Sequence, residues 1–258
     1  MNGTSTRLAC FELWGGNRSA DHPVELPGLL GWVFSAPLYS GSGGGDVHYF
    51  SVCSKGMISR IAVADVAGHG PQASSMAVKL RHALKHHTDH WDQSALMQEL
   101  NEAFLSASSD HQYATAAVLG FYRETGELLF SSAGHPPPLW YRASERSWHL
   151  LEDRTPFAVE IEGLPLGVIP GTAYSQTGVQ VGLGDMLVLY TDGITEAIDS
   201  SNNALGTTGL LEIAKDLAAQ SPVEAIQALA SNIQAFRGDA PRRDDDTLVI
   251  LQRVGASY

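Results

Sequence analysis

Helical periodicity is confined to two blocks of this chain, and strand-like runs fill most of the rest. That block arrangement constrains the fold more than any single motif. The first block opens at Pro71, with apolar residues at Ala73, Met76, Ala77, Leu80 and Leu84, the spacing of one helix face. Gly70 stands where a cap is needed, and Pro71 takes the first helical position, where a missing N–H costs nothing. A second helix is predicted over about 92–106, with Leu96, Leu100, Ala103 and Phe104 on one face. The later block holds predicted helices at 208–218 and 222–236. The latter opens on Ser221-Pro222-Val223-Glu224, a capping box in which serine and glutamate satisfy each other's free amides.

Strands are predicted at 8–13, 31–38, 47–53, 57–65, 113–122, 127–132, 139–141, 147–151, 176–181, 186–190 and 247–251. They are rich in β-branched, aromatic and aliphatic residues, with turn-forming residues between them. Strands in runs with helices inserted as pairs imply an α+β layered fold, not alternating βαβ units. The run Ile61-Ala62-Val63-Ala64-Asp65 is apolar on both faces, which predicts a central strand. No repeat or linker interrupts the pattern. A chain of 258 residues, 44% hydrophobic, suffices for one large domain. One domain over 1–258 is expected, with 1–30 as an N-terminal extension in which Trp14-Gly15-Gly16 forms an ordered turn.

Charge and cysteines narrow the function. The formal charge is -12, with no Lys/Arg run, which argues against a nucleic-acid partner. Cys10 and Cys53 form no paired motif, so a disulfide framework and a zinc site are not expected. No apolar run reaches the roughly 20 residues of a membrane span, and no signal pattern opens the chain. A cytoplasmic protein without a membrane partner is the expectation.

The chemistry sits in aspartates at strand ends. Asp46 follows the glycine run 41–45. Asp65 ends the apolar strand and precedes Val-Ala-Gly-His-Gly. Asp192 lies in the Thr-Asp-Gly exit from Met186-Leu-Val-Leu-Tyr190, and Asp244, Asp245 and Asp246 precede the last strand. A lone aspartate beside glycine is most often a turn residue, and an Asp triplet is most often a solvated charge run. Recurrence shifts that balance, because hard divalent cations need several carboxylate oxygens gathered from distant parts of a chain.

Read in order, GGD…DVAGHG…YTDG…DDDT resembles the SpoIIE/RsbU-like branch of the PPM (type 2C) metal-dependent protein serine/threonine phosphatases. The segments Tyr113-Ala114-Thr115-Ala116, Ala133-Gly134-His135-Pro136-Pro137-Pro138-Leu139 and Leu164-Pro165-Leu166-Gly167 fit the same family. The resemblance implies an α-β-β-α sandwich: two central, mostly antiparallel sheets flanked by helix pairs. It implies two Mn²⁺ or Mg²⁺ ions. Asp65 would bridge them, Asp46 and the Val66 carbonyl would complete one shell, and Asp192 and Asp244 would bind the other ion. Asp245 takes the second acidic position of the terminal motif and is a further candidate ligand, ranked after Asp244. Gly68, His69 and Gly193 would surround these ligands. A water activated between the ions would attack phosphorus, and no Cys or Ser nucleophile is needed.

The expected substrate is a phosphorylated protein carrying phosphoserine or phosphothreonine, such as a STAS-type anti-sigma-factor antagonist. A regulatory protein partner is also implied, because the helices over 71–106 follow Asp65 directly and a shift of that pair would move its loop. The chain is expected to be a stand-alone catalytic unit. Two alternatives stay open: an inactive phosphatase-like binding module, and a two-metal hydrolase of small phosphoesters. The branch often carries a second Asp three residues after the first, where this chain has Tyr49. No arginine matches the substrate-phosphate arginine of eukaryotic type 2C enzymes, and Arg18 is the nearest candidate. For His69 a helix-entry role is preferred to proton transfer, His135 reads as structural, and the His86/His90 spacing reads as a solvated helix end.

Overall fold

The structure is a computed structural model that describes residues 6–8, 13–39, 43–53, 56–87, 92–108, 112–151, 163–215, 217 and 221–255. In chain order the elements are β1 (Thr6–Arg7), β2 (Leu13–Gly16), β3 (Ala20–Leu26), β4 (Leu29–Ala36), β5 (Asp46–Cys53), β6 (Ile58–Val66), α1 (Pro71–His86), α2 (Gln93–Ala107), β7 (Ala114–Tyr122), β8 (Glu127–Ala133), β9 (Leu139–Arg142), β10 (Ser147–Leu150), β11 (Thr177–Gln180), β12 (Met186–Tyr190), α3 (Asp192–Thr195), α4 (Gly206–Lys215), α5 (Pro222–Arg237) and β13 (Asp246–Arg253). One sheet has the order β1-β3-β4-β13-β12-β9-β10 and the other β11-β8-β7-β6-β5-β2. The ladders are antiparallel except β1 with β3.

Side-chain alternation builds four layers from these two sheets. Val249 and Leu251 of β13 enter the intersheet core with Val33, Phe50, Ile61, Val63, Leu119, Leu187 and Leu189. Their neighbours Leu248 and Ile250 point the other way, among Ile226, Leu229 and Ile233 of α5. On the second sheet, Ala62 and Ala64 of β6 lie under Ala73, Ala77 and Leu80 of α1 and Leu96 and Leu100 of α2. Small side chains there let the helices close on the strand. Burying each Leu, Ile or Val side chain contributes roughly 1.5–3 kcal/mol relative to exposure. The result is the expected α-β-β-α sandwich, with β6 flanked by β5 and β7 inside its sheet.

Local signals mostly read true. Pro71 opens α1 after Gly70 at φ 82. Asp92 caps α2 by accepting from the Ser94 and Ala95 amides, and the Ser221/Glu224 capping box is formed in full. Three readings are corrected. Residues 13–16 are strand β2, paired Gly15↔Tyr49 and Gly16↔His48, and not a turn. A Cβ at Gly15 would lie 2.2 Å from the His48 carbonyl oxygen, so glycine is what lets the two strands meet. Strand β3 went unpredicted because Asp21, His22 and Pro23 break the alternation, yet its Val24 and Leu26 are buried in the intersheet core. The exit from β12 is the first turn of α3, not an open turn. The predicted strand over 8–13 falls largely on residues 9–12, and with Cys10, residues 41–42 of the glycine run and His90 these lie outside the described residues.

Candidate metal centre

The two sheets converge at one end, and the acidic residues sit there because of strand register. Asp46 opens β5 and pairs directly with Asp65 near the end of β6, while Asp65 faces Thr115 on β7. From the other sheet, the segment that follows β12 delivers Thr191 and Asp192, and the segment that leads into β13 delivers Asp244 and Asp245. Thr191 ties the halves together. Its buried hydroxyl donates to Asp46 Oδ2 at 2.8 Å and accepts from the Thr247 amide at 3.1 Å. Neither threonine was singled out in the sequence, although both stand inside the TDG and DDDT motifs.

The carboxyl groups perturb one another. Burial, then the charges of Asp192, Asp244 and Asp245, push Asp65 up to about 8. Burial and the Asp65 charge push Asp46 well up, opposed by hydroxyl bonds from Thr247 and Thr191. Asp192 is raised by burial and by Glu196, while Asp65 lies within hydrogen-bonding reach of it. Two carboxyls in such contact share a proton. Burial also raises Asp244; the charges of Asp192 and Asp245 add to this, and His69 acts in the opposite sense.

Glycines make the convergence possible. A Cβ at Gly45 would stand 2.8 Å from the Val66 carbonyl oxygen, 3.2 Å from Asp65 Oδ1 and 3.4 Å from the Gly68 carbonyl oxygen. Three oxygens therefore crowd the space that glycine leaves. Gly193 packs against the Asp245 carbonyl oxygen, 2.0 Å from where its Cβ would be. His69 is exposed in the loop between β6 and α1, its ring 5.7 Å from that of Tyr39.

The terminal triplet divides into three separate tasks. Asp244 faces the cluster. Asp245 accepts from the Leu38 and Gly45 amides, each at 2.6 Å, and from the Asp46 amide at 3.4 Å. Asp246 turns away into a buried two-pronged pair with Arg237, at 3.0 and 3.1 Å.

The residues fit a hard divalent cation. Asp192 Oδ1 is buried and has no hydrogen-bond partner, and burial together with neighbouring carboxylates raises Asp65 and Asp244 beside it. Among the described residues, no three His, Cys, Asp or Glu side chains form a ready metal cage.

His135 and His86 are placed elsewhere. Burial holds His135 down to about 4, and its Nδ1 lies 2.8 Å from the Thr115 hydroxyl. His86 lies in the last turn of α1. Arg18 is exposed. Arg243, unmarked in the sequence reading, lines a small cavity with Gly193, Glu196, Pro241 and Asp244, and donates to Asn202 Oδ1 at 3.1 Å.

Comparison with known proteins identifies the family and the fold. The family described as Stage II sporulation protein E (SpoIIE) matches residues 57–254. The chain belongs to the SpoIIE family. It is 26% identical over 210 residues to the phosphoserine phosphatase RsbU of Bacillus subtilis (strain 168), covering 81% of this chain and 59% of that protein. It therefore spans little more than half of that relative. Among solved structures, the RsbU and RsbW domains of Rv1364c from Mycobacterium tuberculosis align with a TM-score of 0.75 at 25% identity, over 94% of this chain and 64% of that one. The SiaA-PP2C domain of Pseudomonas aeruginosa aligns at 0.72 and 21% identity, over 86% and 85%. The catalytic domain of the serine threonine protein phosphatase PstP, solved with 2 manganese ions, shares the fold at 0.59 and 16% identity, over 88% and 99%. This SpoIIE-family chain thus has the fold of the PPM serine/threonine phosphatases. Among its described residues, no helix is long and apolar enough to cross a membrane.

Proposed function

We propose that this chain is a metal-dependent protein phosphatase that hydrolyses phosphoserine or phosphothreonine on a signalling protein. The observation that carries the reading is the unpartnered, buried Asp192 Oδ1 among carboxylates that burial and mutual repulsion raise. A cluster of this kind calls for cations. Asp46, Asp65, Asp192, Asp244 and the Val66 carbonyl would hold two Mn²⁺ or Mg²⁺ ions. When bound, such ions lower the pKa of a coordinated water and neutralise phosphate charge. The chain's own residues fix the geometry. Thr191 holds one oxygen of Asp46, the glycines at 45 and 193 leave room for the oxygens, and Arg243 offers a cation at the rim for the substrate phosphate. His135 stays neutral at physiological pH and takes no part as a proton donor.

The described relative RsbU is a phosphoserine phosphatase, which favours phosphoserine as the substrate; a STAS-type antagonist as its carrier follows from the family resemblance alone. The chain would then work as a single domain over 1–258 in the cytoplasm, with a regulatory protein acting through α1 and α2. With Mn²⁺, the purified chain should hydrolyse both an aryl phosphate and a phosphoserine peptide, and a chelator or Asp65→Asn should abolish both. Full turnover by Asp65→Asn would exclude the mechanism. Turnover of the aryl phosphate with no phosphoprotein accepted would instead favour a small-ester hydrolase.

A further inference from the structure

The glycine loop that carries Asp46 is gripped from both sides by polar groups outside the proposed ligand set. On one side stands Asn17, between β2 and β3, in the part of the chain that precedes the family match at 57–254. It is buried, at 9% exposure. Its carbonyl oxygen accepts from the Gly44 amide at 2.7 Å, and its side-chain amide donates back to the Gly44 carbonyl at 3.0 Å. The same amide nitrogen lies 3.2 Å from the Ser74 carbonyl oxygen and 3.0 Å from the Ser74 hydroxyl, which share its second hydrogen. Asn17 thus brackets one peptide of the loop and joins it to the first turn of α1, the helix that follows the Asp65 loop. A Cβ at Gly43 would stand 2.6 Å from Asn17 Nδ2 and 2.8 Å from Ser74 Oγ, so the contact closes only over glycine.

On the other side stands Asp245, 4% exposed. Its two oxygens accept from Leu38 and Gly45 at 2.6 Å. These amides flank the crossing from β4 in one sheet to β5 in the other, so a single carboxylate closes the crossing loop. A Cβ at Gly44 would strike Asp245 Oδ2 at 2.1 Å. Each oxygen of Asp245 accepts from a backbone amide on this loop or just before it. Such bonds between a buried carboxylate and amides are among the strong ones.

We propose that Asn17 and Asp245 are a two-sided clamp that positions Asp46 for cation binding, and that Asp245 acts through this loop instead of as a metal ligand. The proposal rests on the metal-centre reading above and assigns a task to the N-terminal segment that the sequence motifs leave unexplained. Partners that orient metal ligands carry about 10–100-fold of affinity. Because both clamps act on the same loop, their effects should not add: once one is lost, the other holds a loop already free on one side.

The test uses the full chain with Asn17→Ala, Asp245→Ala and the double variant. Hydrogen exchange is followed on the peptide spanning Gly43–Asp46 in metal-free protein, and Mn²⁺ affinity by the paramagnetic resonance of free Mn²⁺. Exchange in α5 and β13 serves as the folding control, and Asn17→Gln with Asp245→Asn replace the alanine variants where that control fails. The expected result is faster exchange confined to the loop, Mn²⁺ affinity reduced about 10-fold or more in each single variant, and a double variant less impaired than the product of the two. Unchanged loop exchange would overturn the clamp. Faster exchange with unaltered Mn²⁺ affinity, or a purely multiplicative double variant, would overturn the positioning role. A wild-type chain that binds no Mn²⁺ would overturn both that role and the proposed function, with the exchange arm still deciding the clamp itself. Mn²⁺ binding without phosphatase activity would sink the proposed function alone.

Discussion

Asp46 and Asp65 are direct register partners on adjacent antiparallel strands, both buried, at 2% and 8% exposure. Like charges placed opposite each other across a ladder destabilise a sheet, and burial multiplies the effect. The fold tolerates the pair because Thr191 satisfies one oxygen of Asp46 and because protons, or cations, neutralise the rest. The site is therefore a point of stored instability that a bound cation would relieve.

That relationship predicts a pH dependence. Asp65 stands at about 8 in the folded chain against an ordinary 3.8. Between those values the folded chain keeps a proton that the unfolded chain has released. Stability contributed by the protonated form is thus complete below about pH 4 and is lost as pH rises towards 8. Metal-free protein should show this decline in thermal denaturation at a series of pH values. Asp65→Asn should flatten it and raise the neutral-pH melting temperature, while losing the stabilisation that saturating Mn²⁺ gives the wild type. A variant that melts lower than metal-free wild type at pH 8 would contradict the account.

His135 predicts the opposite slope over a narrower range. Burial holds its folded value at about 4, against an ordinary 6.5. The unfolded chain binds the proton first on acidification, so stability is full above 6.5 and falls as pH drops towards 4. The loss is on the order of 3 kcal/mol at its limit. His135→Gln should remove that acid-side loss, measured as the difference between wild-type and variant urea curves at pH 7 and pH 5. Its phosphatase turnover per folded molecule should not acquire a new ionisation near neutrality.

The fold was legible in the chain to a large degree, because the features that set it are local. Alternation around Ile61–Ala64 and 248–251 declares two buried faces, and Pro71 and Ser221 mark helix starts through groups that act within a turn. The acidic residues were legible as a set for the same reason: each lies at the end or the start of an apolar strand. What could not be read was the division of labour within Asp244–Asp246. Three identical side chains in a row differ only in which neighbour each meets: Asp65 and the Gly45 amide come from remote parts of the chain, and Arg237 comes from the end of the preceding helix. Asn17 escaped notice likewise, since its partners Gly44 and Ser74 are distant in sequence.

The Arg237–Asp246 pair tests that division directly. Both side chains are nearly buried, at 6% and 7% exposure, with Arg242 a more distant 3.7 Å away. Arg237→Ala would leave a buried carboxylate short of its main partner, a loss of about 3–5 kcal/mol. Replacing both, as Arg237→Met with Asp246→Leu, should recover most of it, because an apolar pair has no desolvation cost to offset. Chemical denaturation reads both outcomes. Asp246 would belong to the metal centre instead if the double variant regained stability yet lost Mn²⁺ binding.

Gly45 offers a purely steric test, since it is not among the glycines at positive φ and its identity is set by what surrounds it. The added methyl of Gly45→Ala would stand 2.8 Å from the Val66 carbonyl and 3.2 Å from Asp65, closer than atoms pack at rest. Either β5 shifts away from β6 or the oxygens separate, and both displace Asp46 relative to Asp65. A displacement of about 1 Å in a catalytic arrangement costs on the order of 10²-fold in rate. Mn²⁺-dependent aryl phosphate turnover should therefore fall by about that factor. The three hydrophobic layers lie outside the contact and should keep the chain folded, as far-UV circular dichroism would report. Retained turnover in a folded Gly45→Ala protein would mean that the oxygens around residue 45 are not the ones that matter.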